Sequence, residues 1–242
     1  MKKIHGTRPL AIFDIDGTIF RSSLTTELLE ALIEEGVFPP YARNVYVKEY
    51  QKWLDRKGTH EEYTRSVVRA YNTYLKGVRH AVMLHIAKKV AAFHRDRVHR
   101  FTRDLVRDLR KRGYYLIAIS HSATVIVEEF CRHLKFDKIF GRIQEVDRNG
   151  VYTGKYIAND LIQDKAKLIH QHVAKHGYSL ARSVGVGDTE SDISFLRLVE
   201  TPICFNPNMN LYRHAKRHGW QVVVERKDVV YRLSARPHYT VT

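Results

Sequence analysis

Cysteine and long apolar runs are both scarce in this chain of 242 residues. Its two cysteines, Cys131 and Cys204, lie far apart and without the spacing of a metal site. A reducing cytoplasm is therefore the expected setting. No stretch approaches the run of about 20 apolar residues that a transmembrane helix needs. The N-terminus leads into a strand-like segment without the apolar stretch of a secretory signal.

Acidic residues are also in the minority. The chain has 26 Asp and Glu against 41 Lys and Arg, which gives a formal net charge of +15. Such a balance attracts phosphates, nucleic acids or anionic membranes. The basic residues are spread along the whole chain, and no known nucleic-acid-binding motif appears. The charge thus indicates an anionic partner without naming one.

Short apolar segments alternate with helical patterns over most of the chain. Strands are predicted at 10–13, 114–119, 138–140, 183–186, 202–205 and 221–224, with a hairpin over 144–156 around Asn149-Gly150. Helices are predicted at 101–112, 124–133, 165–176 and 191–198. This alternation predicts an α/β fold with a Rossmann-like parallel sheet and right-handed crossovers.

The segment after the first strand has a different pattern. Four helical patterns follow one another from Leu24 to about Phe93, without a convincing strand. We expect an inserted all-helical cap at residues 21–96 and a core formed by residues 1–20 and 97–242.

Carboxylates follow two of the predicted strands. Asp14 and Asp16 come directly after the first, while Asp188 follows a later strand and Asp192 lies four residues beyond it. Ligands of open α/β sheets bind beyond the carboxyl ends of strands. Phosphoryl transfer needs a nucleophile, a proton donor and a cation. Each cluster alone is also ordinary for a loop or a helix start, but together Asp14 and Asp188 match what Mg²⁺ prefers.

Two further residues are weaker candidates when each is considered alone. Ser120 follows the strand at 114–119, where its hydroxyl and the N–H groups of the next helix would hold phosphate oxygens or simply cap that helix. Lys165 begins a predicted helix, where it would neutralise phosphate charge. Lys167 is equally basic and is a rival for that role.

Taken together, these segments resemble the haloacid dehalogenase-like (HAD) superfamily. Asp14-Ile15-Asp16-Gly17-Thr18 is similar to its first motif, Ser120 to its second, Lys165 to its third, and the segment from Gly187-Asp188 to Asp192 to its fourth. The helical insertion resembles the cap of the phosphoserine-phosphatase-like branch. The resemblance implies a Mg²⁺-dependent phosphatase, a phosphoric monoester hydrolase acting on a small phosphorylated metabolite.

The resemblance also implies roles for the acidic residues. Asp14 would attack phosphorus and form an aspartyl-phosphate, and Asp16 would protonate the leaving oxygen and then activate water. Asp14, the backbone carbonyl of Asp16 and Asp188 would hold the metal. Asp192 would orient Lys165 or a metal-bound water without itself binding the metal.

Phosphate binding is expected from four side chains under the same resemblance. Ser120 and Lys165 would cradle the phosphate, and Thr18 and His121 are further candidates.

The chain departs from phosphoserine phosphatases at two points. Their acidic residue after the first motif is replaced by Arg21-Ser22-Ser23, and no carboxylate follows until Glu27. Their Ser-Gly-Gly becomes Ser120-His121-Ser122. Both departures argue against phosphoserine as the substrate.

Two other functions remain open at this point. One is a phosphotransferase that uses the same intermediate, and the other is a non-catalytic protein of this fold that binds a polyanion. A nucleic-acid partner is less favoured than a metabolite, and the oligomeric state is not predicted.

Overall fold

The computed structural model describes residues 8–233, which form one eight-stranded mixed sheet. Its strands are β1 (Leu10–Asp14), β2 (Tyr115–Ala123), β3 (Lys138–Val146), β4 (Tyr152–Ile157), β5 (Val184–Gly187), β6 (Thr201–Phe205), β7 (Gln221–Arg226) and β8 (Val229–Leu233). Their order across the sheet is β4-β3-β2-β1-β5-β6-β7-β8. The two outer pairs are antiparallel and the inner pairs are parallel. The predicted α/β fold with a Rossmann-like core is confirmed.

Helices cover both faces of this sheet. They are α1 (Leu24–Glu34), α2 (Val47–Leu54), α3 (His60–Leu75), α4 (His80–Phe93), α5 (Arg100–Lys111), α6 (Thr124–Cys131), α7 (Asn159–Gln163), α8 (Lys165–His176), α9 (Ile193–Leu196) and α10 (Met209–His218). Phe13 packs into one apolar cluster with Phe130 of α6 and the helices that follow β1. Ile12, the residue before it in β1, faces the other cluster with Ile169 and Leu211. The sheet is thus covered on both sides, which explains why its central strands are continuously apolar.

The order of the strands creates a crevice beside β1. The chain winds outward from β1 through β2 and β3 in one direction and through β5 and β6 in the other. Asp14 pairs with Ile119 of β2, and Phe13 pairs with Val186 of β5. Loops leave β1 and β5 in opposite directions at this point, so a crevice opens at their carboxyl ends. The register brings the residues after these three strands to one edge of the sheet.

The helices α1 to α4 form an insertion between β1 and α5. Ser23 caps α1 by accepting a hydrogen bond from the N–H of Thr26, and Thr59 with Glu62 forms a capping box at the start of α3. The two connecting segments run side by side, because Phe20 forms an antiparallel bridge with Val98. The insertion therefore leaves and returns to the core at one place.

The end of β2 differs from the sequence-based prediction. The strand continues past Ile119 and Ser120 as far as Ala123, and α6 begins at Thr124, as predicted. The expectation that N–H groups at the start of this helix help to hold phosphate oxygens stays a prediction. The pairing with β3 shifts between Ile119 and Ala123, and such an irregularity redirects side chains at the end of a strand.

Other predicted elements agree with the structure or are extended by it. The hairpin around Asn149-Gly150 is confirmed as β3 and β4, with β3 longer than the predicted 138–140. The prediction that the strand at 221–224 is the last one is wrong, because β8 follows it. The helices α7 and α10 were not expected. The predicted core range also includes 1–7 and 234–242, which lie outside the described residues.

Across residues 8–233, the structure contains no helix with the length and apolar character required to cross a bilayer.

Candidate active site

Asp14 ends β1 and lies almost entirely inside the protein. The residue is 5% exposed. The Oδ1 atom accepts a hydrogen bond of 2.6 Å from Lys165 Nζ, whereas the buried Oδ2 atom has no hydrogen-bond partner. A buried carboxylate oxygen without a partner is costly, because it has lost its contact with water. The position of this oxygen at the crevice marks it as a place for a ligand.

Lys165 lies between two carboxylates. Its Nζ donates at 2.6 Å to Asp14 Oδ1 and at 2.6 Å to Asp192 Oδ1, and its side chain is 1% exposed. Burial alone would lower the pKa of Lys165, but the charges of Asp14 and Asp192 outweigh it and raise that pKa above its usual value. Lys165 therefore stays a cation. Lys167 lies two residues further along α8 and is exposed, so Lys165 is the lysine of the two that contacts these carboxylates.

Asp192 fixes the loop that follows β5. Its Oδ2 atom accepts hydrogen bonds from the backbone N–H groups of Asp188 at 3.0 Å and Thr189 at 3.1 Å. A Cβ atom at Gly187 would lie 2.6 Å from the Asp192 carboxylate, so only glycine leaves room for this contact. Asp192 has both oxygens committed to protein donors, and it orients Lys165 and the Asp188 backbone.

Asp188, which follows β5, packs against the loop after β1. Thr18 is fully buried, and its hydroxyl donates to Asp188 Oδ1 at 3.2 Å. Gly17 has a φ of +80°, and a Cβ atom there would lie only 2.2 Å from Asp188 Oδ2. The close packing of the two loops requires glycine at this position. Since the single hydroxyl proton of Thr18 goes to Asp188, this residue orients a carboxylate rather than facing the crevice.

Asp16 is held by three donors. Its Oδ1 atom accepts from the backbone N–H of Leu24 at 2.5 Å, and its Oδ2 atom accepts from Ser120 Oγ at 2.5 Å and Ser122 Oγ at 2.9 Å. Burial raises the pKa of Asp16, and these three hydrogen bonds oppose the rise. Asp16 and Ser120 are thus in direct contact. Ser122 belongs to the same group, although the sequence analysis did not select it.

Three carboxylates converge in the crevice. Asp14, Asp188 and Asp192 each present one oxygen, and these oxygens lie within 4.8 Å of one another. Burial and the neighbouring carboxylates raise the pKa of Asp14 and of Asp188 well above the ordinary value, although Lys165 opposes the rise. Clustered buried carboxylates of this kind are stabilised by a bound cation. Hard oxygen donors and the unpartnered Asp14 Oδ2 fit Mg²⁺.

His121 does not bring a positive charge to the site. Its Nε2 atom lies 3.0 Å from the carbonyl oxygen of Ile162 in α7. Burial, with a further contribution from the charge of Lys165, lowers the pKa of His121 to about 4. The ring is therefore neutral near pH 7 and links β2 to α7.

Comparison with known proteins agrees with this geometry. The model of the haloacid dehalogenase-like hydrolase family matches residues 11–197. A histidinol-phosphatase of Neisseria meningitidis serogroup C (strain 8013) is 24% identical over 226 residues, which cover 88% of this chain and 97% of that protein.

Solved structures share the fold. A protein of unknown function from Bordetella pertussis Tohama I superimposes with a TM-score of 0.69 at 22% identity, covering 89% of this chain and 98% of the other. A phospho-aspartyl intermediate analogue of phosphoserine phosphatase gives a TM-score of 0.60 at 21% identity, and the match covers 91% of this chain and 95% of the other.

Proposed function

The chain belongs to the haloacid dehalogenase-like hydrolases, and on this premise we propose that it is a Mg²⁺-dependent phosphatase acting on a small phosphomonoester. The observation that carries the proposal is the environment of Asp14. This carboxylate lies at the sheet crevice with one oxygen on Lys165 and the other without a partner. A carboxylate in this setting is placed to attack phosphorus while a fixed cation neutralises the phosphate charge.

In the first half of the reaction, a carboxylate oxygen of Asp14 forms a bond to phosphorus. The bond between phosphorus and the ester oxygen of the substrate breaks, and that oxygen leaves with the bonding electron pair. Protonated Asp16 gives its proton to the leaving oxygen, so the product is a neutral alcohol and Asp16 becomes a carboxylate. Lys165 and Ser120 stabilise the phosphoryl oxygens during this transfer.

In the second half, Asp16 acts as a base. It removes a proton from a water molecule whose oxygen attacks the phosphorus of the aspartyl-phosphate. The bond from phosphorus to Asp14 breaks, inorganic phosphate is released, and Asp16 is again protonated for the next cycle. The phospho-aspartyl intermediate analogue of phosphoserine phosphatase shares this fold, which supports the assignment of a covalent route.

Asp14, Asp188 and the backbone carbonyl of Asp16 are the groups that would hold Mg²⁺. The fit rests on the clustered carboxylate oxygens and on the unpartnered Asp14 Oδ2. When bound, the ion supplies positive charge against the phosphate oxygens. Asp192, in contrast, is already committed to Lys165 and two backbone N–H groups, so we assign it an orienting role.

The substrate that we propose is a small alkyl phosphate other than phosphoserine. Glu27, the first carboxylate after the loop at β1, accepts from Ser22 Oγ at 2.7 Å and from Arg97 at 2.8 Å, and it lies 3.1 Å from His94 Nε2. A carboxylate already neutralised by an arginine is a poor receptor for a substrate amine. The histidinol-phosphatase similarity supports a phosphorylated alcohol as the class to test.

We further propose that residues 21–96 act as a cap over the crevice. The backbone N–H of Arg21 donates to the carbonyl of Arg97 at 3.1 Å, and His99 donates to Ile19 at 2.9 Å. These paired connections lie at the proposed boundaries and form the natural hinge between cap and core. A cytoplasmic location agrees with the buried, unbonded thiols of Cys131 and Cys204 and stays a prediction.

Two alternatives are separated by simple observations. A phosphotransferase would pass the phosphoryl group to an added alcohol such as glycerol, whereas a hydrolase releases it as inorganic phosphate. A polyanion-binding protein gains nothing from carboxylates gathered at its anion site, so the cluster around Asp14 favours catalysis.

The test compares Asp14→Asn with Asp108→Asn, a control at an exposed carboxylate paired with Arg112. With p-nitrophenyl phosphate and Mg²⁺, we expect Asp14→Asn to lose turnover by at least about 10⁴-fold, the scale seen for nucleophile removal. Asp108→Asn should keep wild-type turnover, and EDTA should remove the activity of the wild type and of Asp108→Asn. Metal-dependent activity retained in Asp14→Asn would show that another group is the nucleophile.

A further inference from the structure

Ser122 has a buried hydroxyl to which the proposed reaction assigns no role so far. The side chain is 3% exposed, and its Oγ atom lies 2.9 Å from Asp16 Oδ2. By the resemblance given above, the phosphoserine-phosphatase-like branch usually has glycine at this place. A buried hydroxyl aimed at the acid–base carboxylate is therefore a feature of this chain.

Hydrogen-bond directions around Ser122 are determined by proton counting. Its single hydroxyl proton is donated to Asp16 Oδ2, because this oxygen only accepts both when Asp16 is ionised and when its acid proton is on Oδ1. The Oγ atom of Ser122 also lies 2.8 Å from Thr25 Oγ1, and both residues are buried. Thr25 must therefore be the donor in that contact. The two hydroxyls form a chain from Thr25 through Ser122 to Asp16.

Two consecutive residues of α1 thus contact Asp16, one directly and one through Ser122. The backbone N–H of Leu24 donates to Asp16 Oδ1 at 2.5 Å, and Thr25 reaches Oδ2 by way of Ser122. Both lie in the first turn of the helix that begins the proposed cap. The orientation of Asp16 is therefore tied to the place of α1 relative to the sheet.

Ser120 explains why a second hydroxyl is needed. It donates its single proton to Asp16 Oδ2 at 2.5 Å and accepts from the N–H of Ser122 at 2.8 Å. If Ser120 turns its proton to a phosphate oxygen, as the proposed function requires, Asp16 Oδ2 loses that donor. Ser122 then remains as the side-chain donor that keeps this oxygen in place.

We propose that Thr25 and Ser122 form a hydroxyl relay that positions Asp16 for proton transfer to the leaving oxygen and links this step to the first turn of α1. The inference rests on the proposed function, because it assigns positioning residues for the acid–base group of that reaction. Neither residue touches the reacting atoms, so both act through Asp16.

The test uses two phosphate esters that differ in their need for a proton. A nitrophenolate leaves readily without one, whereas an alkoxide does not, so p-nitrophenyl phosphate and β-glycerol phosphate report differently on Asp16. The quantity measured is kcat/KM with Mg²⁺, which covers the steps up to release of the first product. The variants are Ser122→Ala, Thr25→Val, Thr25→Ser and the double variant Thr25→Val/Ser122→Ala.

We expect Ser122→Ala and Thr25→Val to lower kcat/KM for β-glycerol phosphate about tenfold more than for p-nitrophenyl phosphate, the scale of one hydrogen bond to a charged group. Thr25→Ser, which retains the hydroxyl, restores most of the loss. The double variant is no worse than Ser122→Ala alone, because the two hydroxyls act in series. Ser66→Ala is the matched control, since Ser66 is a buried serine in α3 that donates only to the carbonyl of Tyr63.

Equal losses with both esters, or no loss, would overturn the proposal, as would the same pattern in Ser66→Ala. If Ser122→Ala does not fold, Thr25→Val and Thr25→Ser decide by the same ratio. A wild-type chain that hydrolyses neither ester refutes the proposed function instead. In that case crystal structures of the wild type and of Ser122→Ala test the relay. An Asp16 carboxylate with the same orientation in both would contradict it.

Discussion

Replacement of Lys165 by methionine removes a buried cation and retains most of the side-chain volume. Lys165 Nζ makes two charged hydrogen bonds of 2.6 Å, to Asp14 and to Asp192. Each such bond contributes about 1.5–3 kcal/mol, and loss of one partner from a buried ion pair costs about 3–5 kcal/mol. Without Mg²⁺ at pH 7, we expect Lys165→Met to lower the free energy of unfolding by about 3–5 kcal/mol.

The pH dependence of that loss follows from Asp14, which is left buried without its cation. Burial already raises the pKa of Asp14 above the ordinary value of 3.8 while Lys165 opposes the rise, so its pKa in the folded variant lies above the unfolded value. The carboxyl group can avoid the cost of a buried unpaired charge by binding a proton. For a group with the ordinary pKa of 3.8, protonation costs about 4 kcal/mol at pH 7 but only about 1.6 kcal/mol at pH 5. The variant is therefore least impaired at low pH and loses stability as the pH rises from 5 to 7.

Urea unfolding in EDTA at pH 5, 6 and 7 measures this effect, with Lys167→Met as the matched control. Lys167 is an exposed lysine two residues further along α8, and its replacement should change stability by no more than about 0.5 kcal/mol. The reasoning is refuted if Lys165→Met is as stable as Lys167→Met, or if its deficit does not grow between pH 5 and pH 7.

Three further predictions concern the same crevice. Gly17→Ala places a Cβ atom 2.2 Å from Asp188 Oδ2 and should reduce kcat/KM about 10²-fold, the scale of a 1 Å misplacement. Gly77→Ala is the control, because Gly77 also has a positive φ but no atom within 4 Å of the added Cβ, and it should keep activity. Equal losses in the two variants would contradict the packing argument. Mg²⁺ at 100 times its Kd should stabilise the EDTA-treated protein by about 2.7 kcal/mol, which is seen as a higher Tm. Asp188→Asn should abolish this rise in Tm, and an unchanged rise would show that the ion binds elsewhere. His121→Gln should leave the pH profile of turnover between pH 6 and 8 unaltered, because the His121 pKa of about 4 keeps the ring neutral there, and a lost limb in that profile would contradict this.

The strands around the crevice were predictable because their pattern is simple. β1 and the apolar part of β2 are continuous runs, as expected for strands covered on both faces. The edge strand β8 was missed because Val229, Tyr231 and Leu233 alternate and remain partly exposed. A half-exposed strand after a short turn has a weaker pattern than a buried one.

The choice between Lys165 and Lys167 contained a usable pattern that the sequence analysis did not apply. Lys165, Ile169 and His172 are the buried residues of α8, and they repeat at the spacing of one helix face. Lys167 is out of phase with them. The apolar face of the helix therefore indicates which lysine points inward.

The contacts of Ser122 and Thr18 were not available from local sequence. Ser122 meets Thr25 across 97 positions of the chain, and Thr18 meets Asp188 across 170. Their roles depend on how distant loops pack after folding. Motif spacing identified the residue types of the site, while the distribution of hydroxyl protons required coordinates.

The central claim is that Asp14 becomes covalently phosphorylated during turnover. Rapid acid quenching of the Asp16→Asn variant with p-nitrophenyl phosphate and Mg²⁺, followed by peptide mass spectrometry, measures it directly. With the base for the second step removed, we expect a phosphate group to accumulate on the side chain of Asp14. Release of nitrophenol without any such adduct, or a phosphate group on a different residue, would contradict the account.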